Sequence, residues 1–269
     1  MEQEILKKIY KSVNEGNTVA LATITEVSGS TPGKAGSIMA VWENSKIEGT
    51  VGGGKAEYEI INKALDCIKN NESSPFQYKL NENGDLGMHC GGEIKGFIKV
   101  FSPQTKLIIV GAGHVAFCIH KIAKFLDFYT VVIDDRKDFA NEERFPNCNE
   151  IIVENIKDSL SKYPIDKNTY IVIVSRGHKD DALALETVIS KDPSYIGMIG
   201  SHKKTSYVMN SLISKGISRE NLKKVYAPIG LDIASCKPKE IALGILSEIL
   251  LIKNKGSLNH LKDIKSIKF

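Results

Sequence analysis

Residues 107–116, LIIVGAGHVA, constrain the fold more than any other stretch of the chain. An apolar run suited to a buried strand enters Gly111-x-Gly113-x-x-Ala116, and a helical pattern follows over 114–127. Gly111 permits a tight turn, and Gly113 lets the backbone approach a pyrophosphate at a helix N-terminus. A second apolar run, 129–133, ends at Asp134, 23 residues after Gly111. That is where an acid in such a unit meets a ribose. Short apolar runs recur at 150–153, 170–174, 195–199 and 223–227, with helical patterns at 180–190, 203–215 and 239–252. Alternation of this kind predicts a parallel sheet with helices on both faces.

The expected fold class is therefore α/β, with a Rossmann-type domain over 103–253. Whether a nucleotide such as NAD(P) fills it stays open at this point, because the same glycines serve a purely structural turn and Asp134-Asp135 a strand-end cap. Two further strand ends gather polar groups, Ser175-Arg176-Gly177-His178 and Gly200-Ser201-His202-Lys203-Lys204. In a parallel sheet both open at the carboxyl edge beside the fingerprint. Gly111, Gly113, His114, Asp134, Arg176 and Ser201 are the cofactor-binding candidates, with Arg176 or Lys203 suited to an anion. His178 and His202 are acid–base candidates, or helix caps and solvated loop residues.

Before a hinge at Pro103-Gln104-Thr105 the texture differs. Helical spacing over 2–15 precedes β runs at 18–27, 38–42 and 46–51, a helix over 55–70 and a strand at 94–101. The stretch 71–93 reads as polar and turn-rich. This predicts a smaller mixed α/β domain, 1–102. Two of its loops carry chemistry. GTVGGGKAE (49–57) exposes successive N–H groups where a helix begins, so Gly52, Gly53, Gly54 and Lys55 form a candidate anion cradle, or else a flexible turn. GMHCGG (87–92) sets Cys90 beside Gly91, a candidate thiolate ligand or sulfur acceptor, or a small buried hydrophobe. Cys67 and Cys118, on predicted helices, fit the buried reading.

The chain has 269 residues and a net charge of +4. Residues 253–269 carry that whole excess, with five lysines against one aspartate. A neutral body with a basic tail, 254–269, is no nucleic-acid footprint. Five scattered cysteines without a C-x-x-C pair exclude a disulfide framework or zinc ribbon. No apolar run reaches the ~18 residues of a membrane span, and the expectation is a cytoplasmic protein that forms a homodimer.

Several stretches together resemble the XdhC/CoxI maturation factors of molybdenum hydroxylases such as xanthine dehydrogenase. They are GSTPGKAGSIM (29–39), GTVGGGKAE (49–57), MHCGG (88–92), LIIVGAGHVA, VVIDDR (131–136), SRGHKDD (175–181), YIGMIGSHKKT (195–205) and PIGLDIASCKPKEIA (228–242). The resemblance implies a carrier that binds the molybdenum cofactor (molybdopterin), shields it, supports its sulfuration by a cysteine desulfurase and delivers it to the apo-hydroxylase. It implies a chaperone rather than an enzyme, with Cys90 as the sulfur-handling residue or molybdenum ligand. Many members carry a cysteine where this chain has Lys55, which leaves Cys90 alone to attend the cofactor. The alternative is an NAD(P)-dependent oxidoreductase built on the fingerprint, in which Asp134 favours NAD over NADP and nearby Arg136 leaves that preference open.

Overall fold

The computed structural model describes residues 2–80, 91–233 and 236–265. The chain forms two compact units, residues 1–103 and 104–269.

In the first unit, helix α1 (Glu2–Asn14) leads into strand β1 (Val19–Ser28), followed by β2 (Ile38–Trp42), β3 (Ile47–Gly49) and helix α2 (Gly54–Asn70). Strands β4 (Ser74–Lys79) and β5 (Glu93–Phe101) complete it. The sheet is antiparallel, in the order β3-β2-β1-β5-β4. Alternate residues of β1 and β2 serve opposite faces. Ala20, Ala22, Ile24, Met39 and Val41 pack under Ile60 and Ala64 of α2, whereas Val19, Ala40 and Trp42 pack under Ile5 and Ile9 of α1.

Strand β4 corrects the sequence expectation of polar turns over 71–93. Phe76 is its one fully buried ring, and Tyr78 packs partly buried against the same core. Phe76 pairs with Gly96 of β5, where a Cβ would stand 2.2 Å from the Phe76 ring. Glycine on the partner strand makes room for the ring, and only the short alternation Phe76-Gln77-Tyr78 marks β4 in the sequence itself. Pro75 fits because β4 is an edge strand.

The second unit carries β6 (Lys106–Val110), α3 (His114–Phe125), β7 (Tyr129–Ile133), β8 (Glu150–Ile152), α4 (Ile156–Lys162) and β9 (Thr169–Ile173). After these come α5 (His178–Val188), β10 (Tyr195–Met198), α6 (His202–Ser214), α7 (Arg219–Leu222), β11 (Val225–Tyr226), α8 (Pro238–Lys253) and α9 (Leu261–Ile264). Its sheet is parallel, in the order β8-β7-β6-β9-β10-β11. Counted from the fingerprint strand this is 3-2-1-4-5-6, the order of dinucleotide-binding sheets. Helices α3 and α8 cover one face through Ala116, Ile119, Ile245 and Ile249. Helices α4, α5 and α6 cover the other through Leu160, Leu185 and Val208.

The α/β expectation holds. Helix α4 is an addition. Asn155 caps it by accepting from the Lys157 and Asp158 N–H groups, but the helix is too short to show a clear period. Helix α9 lies within the stretch expected to be only a basic tail, and its Leu261 and Ile264 are exposed. Among the described residues, no helix is long and apolar enough to cross a membrane.

Candidate functional site

Val110 of β6 is in register with Ile133 of β7 and with Ile173 of β9. The residues after these three strand ends therefore meet at one level of the carboxyl edge. Gly111 turns there with φ +106°, and a Cβ would lie 2.7 Å from the Val174 carbonyl oxygen. Both the left-handed backbone and the close approach demand glycine. The Gly111 N–H donates to the Ile133 carbonyl at 2.7 Å. The next N–H, of Ala112, donates to Oδ2 of Asp134 at 2.7 Å.

Asp134 is only 4% exposed. Its Oδ1 accepts from the Arg136 backbone N–H at 3.0 Å and from Arg136 Nε at 2.8 Å. Its Oδ2 accepts from Arg136 Nη2 at 2.8 Å. Burial alone would raise its pKa, but the Arg136 and Ala112 donors outweigh that and hold the carboxyl below its ordinary value. The Arg136 guanidinium lies 4.1 Å over the Phe139 ring, and the Arg144 guanidinium lies 5.0 Å from the same ring. Arg144 Nη2 also donates to the Ala112 carbonyl at 3.3 Å.

A cleft of about 550 Å³ opens over these groups, lined by Gly113, His114, Arg136, Phe139, Ser175 and Arg176 among others. Of the sequence candidates, Gly113, His114 and Arg176 line it, while Gly111 and Asp134 brace its floor. Ser201 does not line it. Ser201 caps α6, accepting from the Lys204 N–H. His178 turns to a separate groove of about 440 Å³, its ring 5.9 Å from that of Tyr207. His202 and Lys203 are exposed.

The segments SRGHKDD and GSHKKT are tied together from beneath. Ser175 Oγ donates to Asp181 Oδ1 at 2.5 Å, and the fully buried Asp181 pairs with Lys204. Burial pushes the Asp181 carboxyl above its ordinary value, against the opposing pull of Lys204 and Ser175. The PIGLD stretch is locked similarly. The Ile229 N–H donates to the Met198 carbonyl at 3.1 Å. Buried Glu248 accepts from the Gly230 N–H at 3.1 Å and from the Tyr195 hydroxyl at 2.5 Å. The sequence pattern does not single out Asp181, Lys204, Phe139 or Arg144. An acid pair in the first turn of a helix is the available signal for Asp181.

In the first unit, three glycine-bearing loops pack together. A Cβ at Gly33 would lie 2.2 Å from the Val51 carbonyl oxygen, and one at Gly52 would lie 2.5 Å from Gly33 N. On the other side of the same loop, Ser30 bridges to Gly91, and a Cβ at Gly92 would lie 2.3 Å from the Ser30 carbonyl oxygen. Cys90 lies outside the described residues. Its neighbour Gly91 is anchored, with its N–H donating to the Leu80 carbonyl at 2.8 Å. Residues 29–33 thus join the turn of 51–54 to the strand entry at 91–92.

The GTVGGGKAE turn differs from an open cradle. A single oxygen, Glu57 Oε2, accepts from Thr50 Oγ1 at 2.5 Å, from the Val51 N–H at 2.9 Å and from the Gly53 N–H at 3.1 Å. The chain's own carboxylate already occupies much of the donor set expected for a bound anion. Gly54 and Lys55 stay exposed at the start of α2, and a Cβ at Gly53 or Gly54 would meet nothing within 4 Å. Among the described residues no group of three or more His, Cys, Asp or Glu side chains is arranged to hold a metal ion.

Comparisons with known proteins match this architecture. The family model for the XdhC Rossmann domain matches residues 107–249, and that for the XdhC and CoxI family matches 12–79. The uncharacterized protein YqeB of Escherichia coli is 30% identical over 88% of the chain. A probable xanthine dehydrogenase subunit of Bacillus subtilis is 24% identical over 72% of it. The chain spans 44% of the first and 62% of the second. The molybdenum cofactor insertion chaperone PaoD of Escherichia coli is 19% identical, across 93% of this chain and 88% of its own length. The crystal structure of a xanthine dehydrogenase from Bacillus halodurans shares the fold at TM-score 0.54 and 22% identity, covering 95% of this chain and 96% of that one. The chain belongs to the XdhC and CoxI family, with the XdhC Rossmann domain as its second unit.

Proposed function

We propose that the protein is a maturation factor that binds the molybdenum cofactor and hands it to a xanthine dehydrogenase-type molybdenum hydroxylase. The observation that carries this reading is the likeness to PaoD over 93% of the chain, joined to family matches in both units. The packed loops 29–33, 51–54 and 91–92 support it. They hold small, backbone-rich surface at one end of the antiparallel sheet, with exposed Lys55 available to a pterin phosphate and Cys90 one peptide bond from anchored Gly91. A thiolate there suits a soft metal or a sulfur-transfer step. In this proposal Cys90 ligates the molybdenum centre or takes part in sulfuration, a cysteine desulfurase supplies the sulfur, and the protein works in the cytoplasm as a homodimer.

Anaerobic gel filtration after incubation with molybdenum cofactor tests the reading, with molybdenum and oxidised pterin measured per chain. Near-stoichiometric retention is expected, falling at least severalfold in Cys90→Ala. Absence of retention, together with full hydroxylase activity in cells lacking the protein, would sink it.

A further inference from the structure

We propose that the cleft at the carboxyl edge of the parallel sheet takes a dinucleotide phosphorylated on its adenosine ribose, the NADP class, with Arg136 as the phosphate contact. This is independent of the cargo reading, since every residue involved belongs to the second unit. The cleft of about 550 Å³ opens beside β6, where strand order reverses between β6 and β9. Sheets of this order bind nucleotides at that place. A Cβ at Gly113 would meet nothing within 4 Å, so the backbone at the start of α3 is open to the cleft. No side chain caps that helix.

Asp134 decides the class of ligand. In such sheets the acid at the end of the second strand accepts from both ribose hydroxyls when it binds an unphosphorylated dinucleotide. Here both oxygens are filled by Ala112 and Arg136, and the side chain is buried. A free ribose diol finds no acceptor there, and its hydroxyls would lose water without compensation.

Arg136 presents the opposite chemistry. Its bonds to Asp134 use Nε and Nη2, while a guanidinium carries five N–H donors. The remaining donors belong to a side chain that is 31% exposed and lines the cleft. Asp134 and the Phe139 ring fix the guanidinium plane, which reduces the entropy lost when it takes a phosphate. Arg176 adds a second cation, and among the described residues no carboxylate lines the cleft. Asp135 and Asp180 act on Arg136 from nearby, so the preference rests on placed donors rather than on net charge.

Fluorescence titration of the full-length protein with NADPH and with NADH tests the proposal. NADPH is expected to bind about tenfold or more tightly, the effect of one or two charge-assisted bonds to phosphate. Adenosine 2′,5′-bisphosphate should displace it, and 5′-ADP should not. Arg136→Met should lower NADPH affinity and raise NADH affinity, because the freed Asp134 carboxylate regains a ribose. Gly113→Val should abolish both while leaving the melting curve unchanged. Equal or tighter NADH binding by the wild-type protein overturns the proposal, as does binding of neither nucleotide at millimolar concentration. Both readouts stand even if Arg136→Met fails to fold.

Discussion

The Asp134 carboxylate grips the Arg136 guanidinium through two parallel bonds, Nε to Oδ1 and Nη2 to Oδ2, each 2.8 Å long. The same carboxylate accepts from the Ala112 N–H inside the glycine turn. One buried acid therefore couples the fingerprint loop to the strand beside it and aims an arginine at the cleft.

Asp134→Asn removes the charge while keeping one acceptor. We expect a loss of roughly 2 kcal/mol near pH 7, below the range for a fully buried pair because Arg136 is partly exposed. The folded-state pKa of Asp134 is depressed. Its contribution is therefore present above the ordinary carboxylate value and lost as pH falls through the lower folded value. Denaturant melts of wild type and variant should converge only when pH falls through the depressed folded value, below the ordinary carboxylate range. A gap that stays constant with pH would show that the charge is not the stabilising element.

Asp181 has the opposite sign. Its folded pKa is raised by burial from the ordinary 3.8, so the folded state holds the proton more tightly and stability falls as pH rises between the two values. Lys204 counters this by favouring the charged form. Lys204→Met should cost roughly 3 kcal/mol at pH 7 and less once pH falls below the raised Asp181 value, where the carboxyl takes up its proton. Stability measured across pH 4–7 should diverge steadily from wild type. Parallel curves would remove the buried pair from the account.

Glu57→Ala strips one oxygen from three donors. We expect a loss of about 1–3 kcal/mol. The freed N–H groups should then bind an external anion, so phosphate should raise the variant's melting temperature more than it raises that of wild type. An identical phosphate response in the two proteins would show that the turn is no latent anion site.

Two fingerprint glycines should behave differently. Gly111→Ala meets the Val174 carbonyl at 2.7 Å in a left-handed backbone and should cost roughly 2–4 kcal/mol. Gly113→Ala points into open space and should change stability by less than about 0.5 kcal/mol. Thermal melts of the two single variants settle this, and a Gly113→Ala loss as large as that of Gly111→Ala would contradict the geometry.

Most of the fold was legible because its signals are local. Apolar runs such as 107–110 and 129–133 stand for buried parallel strands in any setting, and a glycine that needs φ above zero shows itself at Gly111. Strand β4 was not legible. Its buried ring, Phe76, depends on the space left by Gly96 of β5, and Tyr78 beside it is only partly buried. In the cleft, Gly113, His114 and Arg176 were found from position along the chain, since all strand ends of a parallel sheet share one edge. Ser201 and His178 occupy neighbouring strand ends too, yet one caps a helix and the other faces Tyr207.

By itself, then, the sequence determined the parallel sheet, its glycine turn and the presence of an acid 23 residues further on. Each follows from backbone sterics and from which face an element must bury. Only the tertiary structure decided what the acids do. A carboxylate at Asp134 serves a ribose or a neighbouring N–H equally well by spacing. The register of β6 against β7 brings the Ala112 N–H within bonding distance of that carboxylate and turns it inward, where Arg136, two residues further on, closes over it. Hydrogen-bond partners lie across space, and spacing along a chain carries no direction for a side chain.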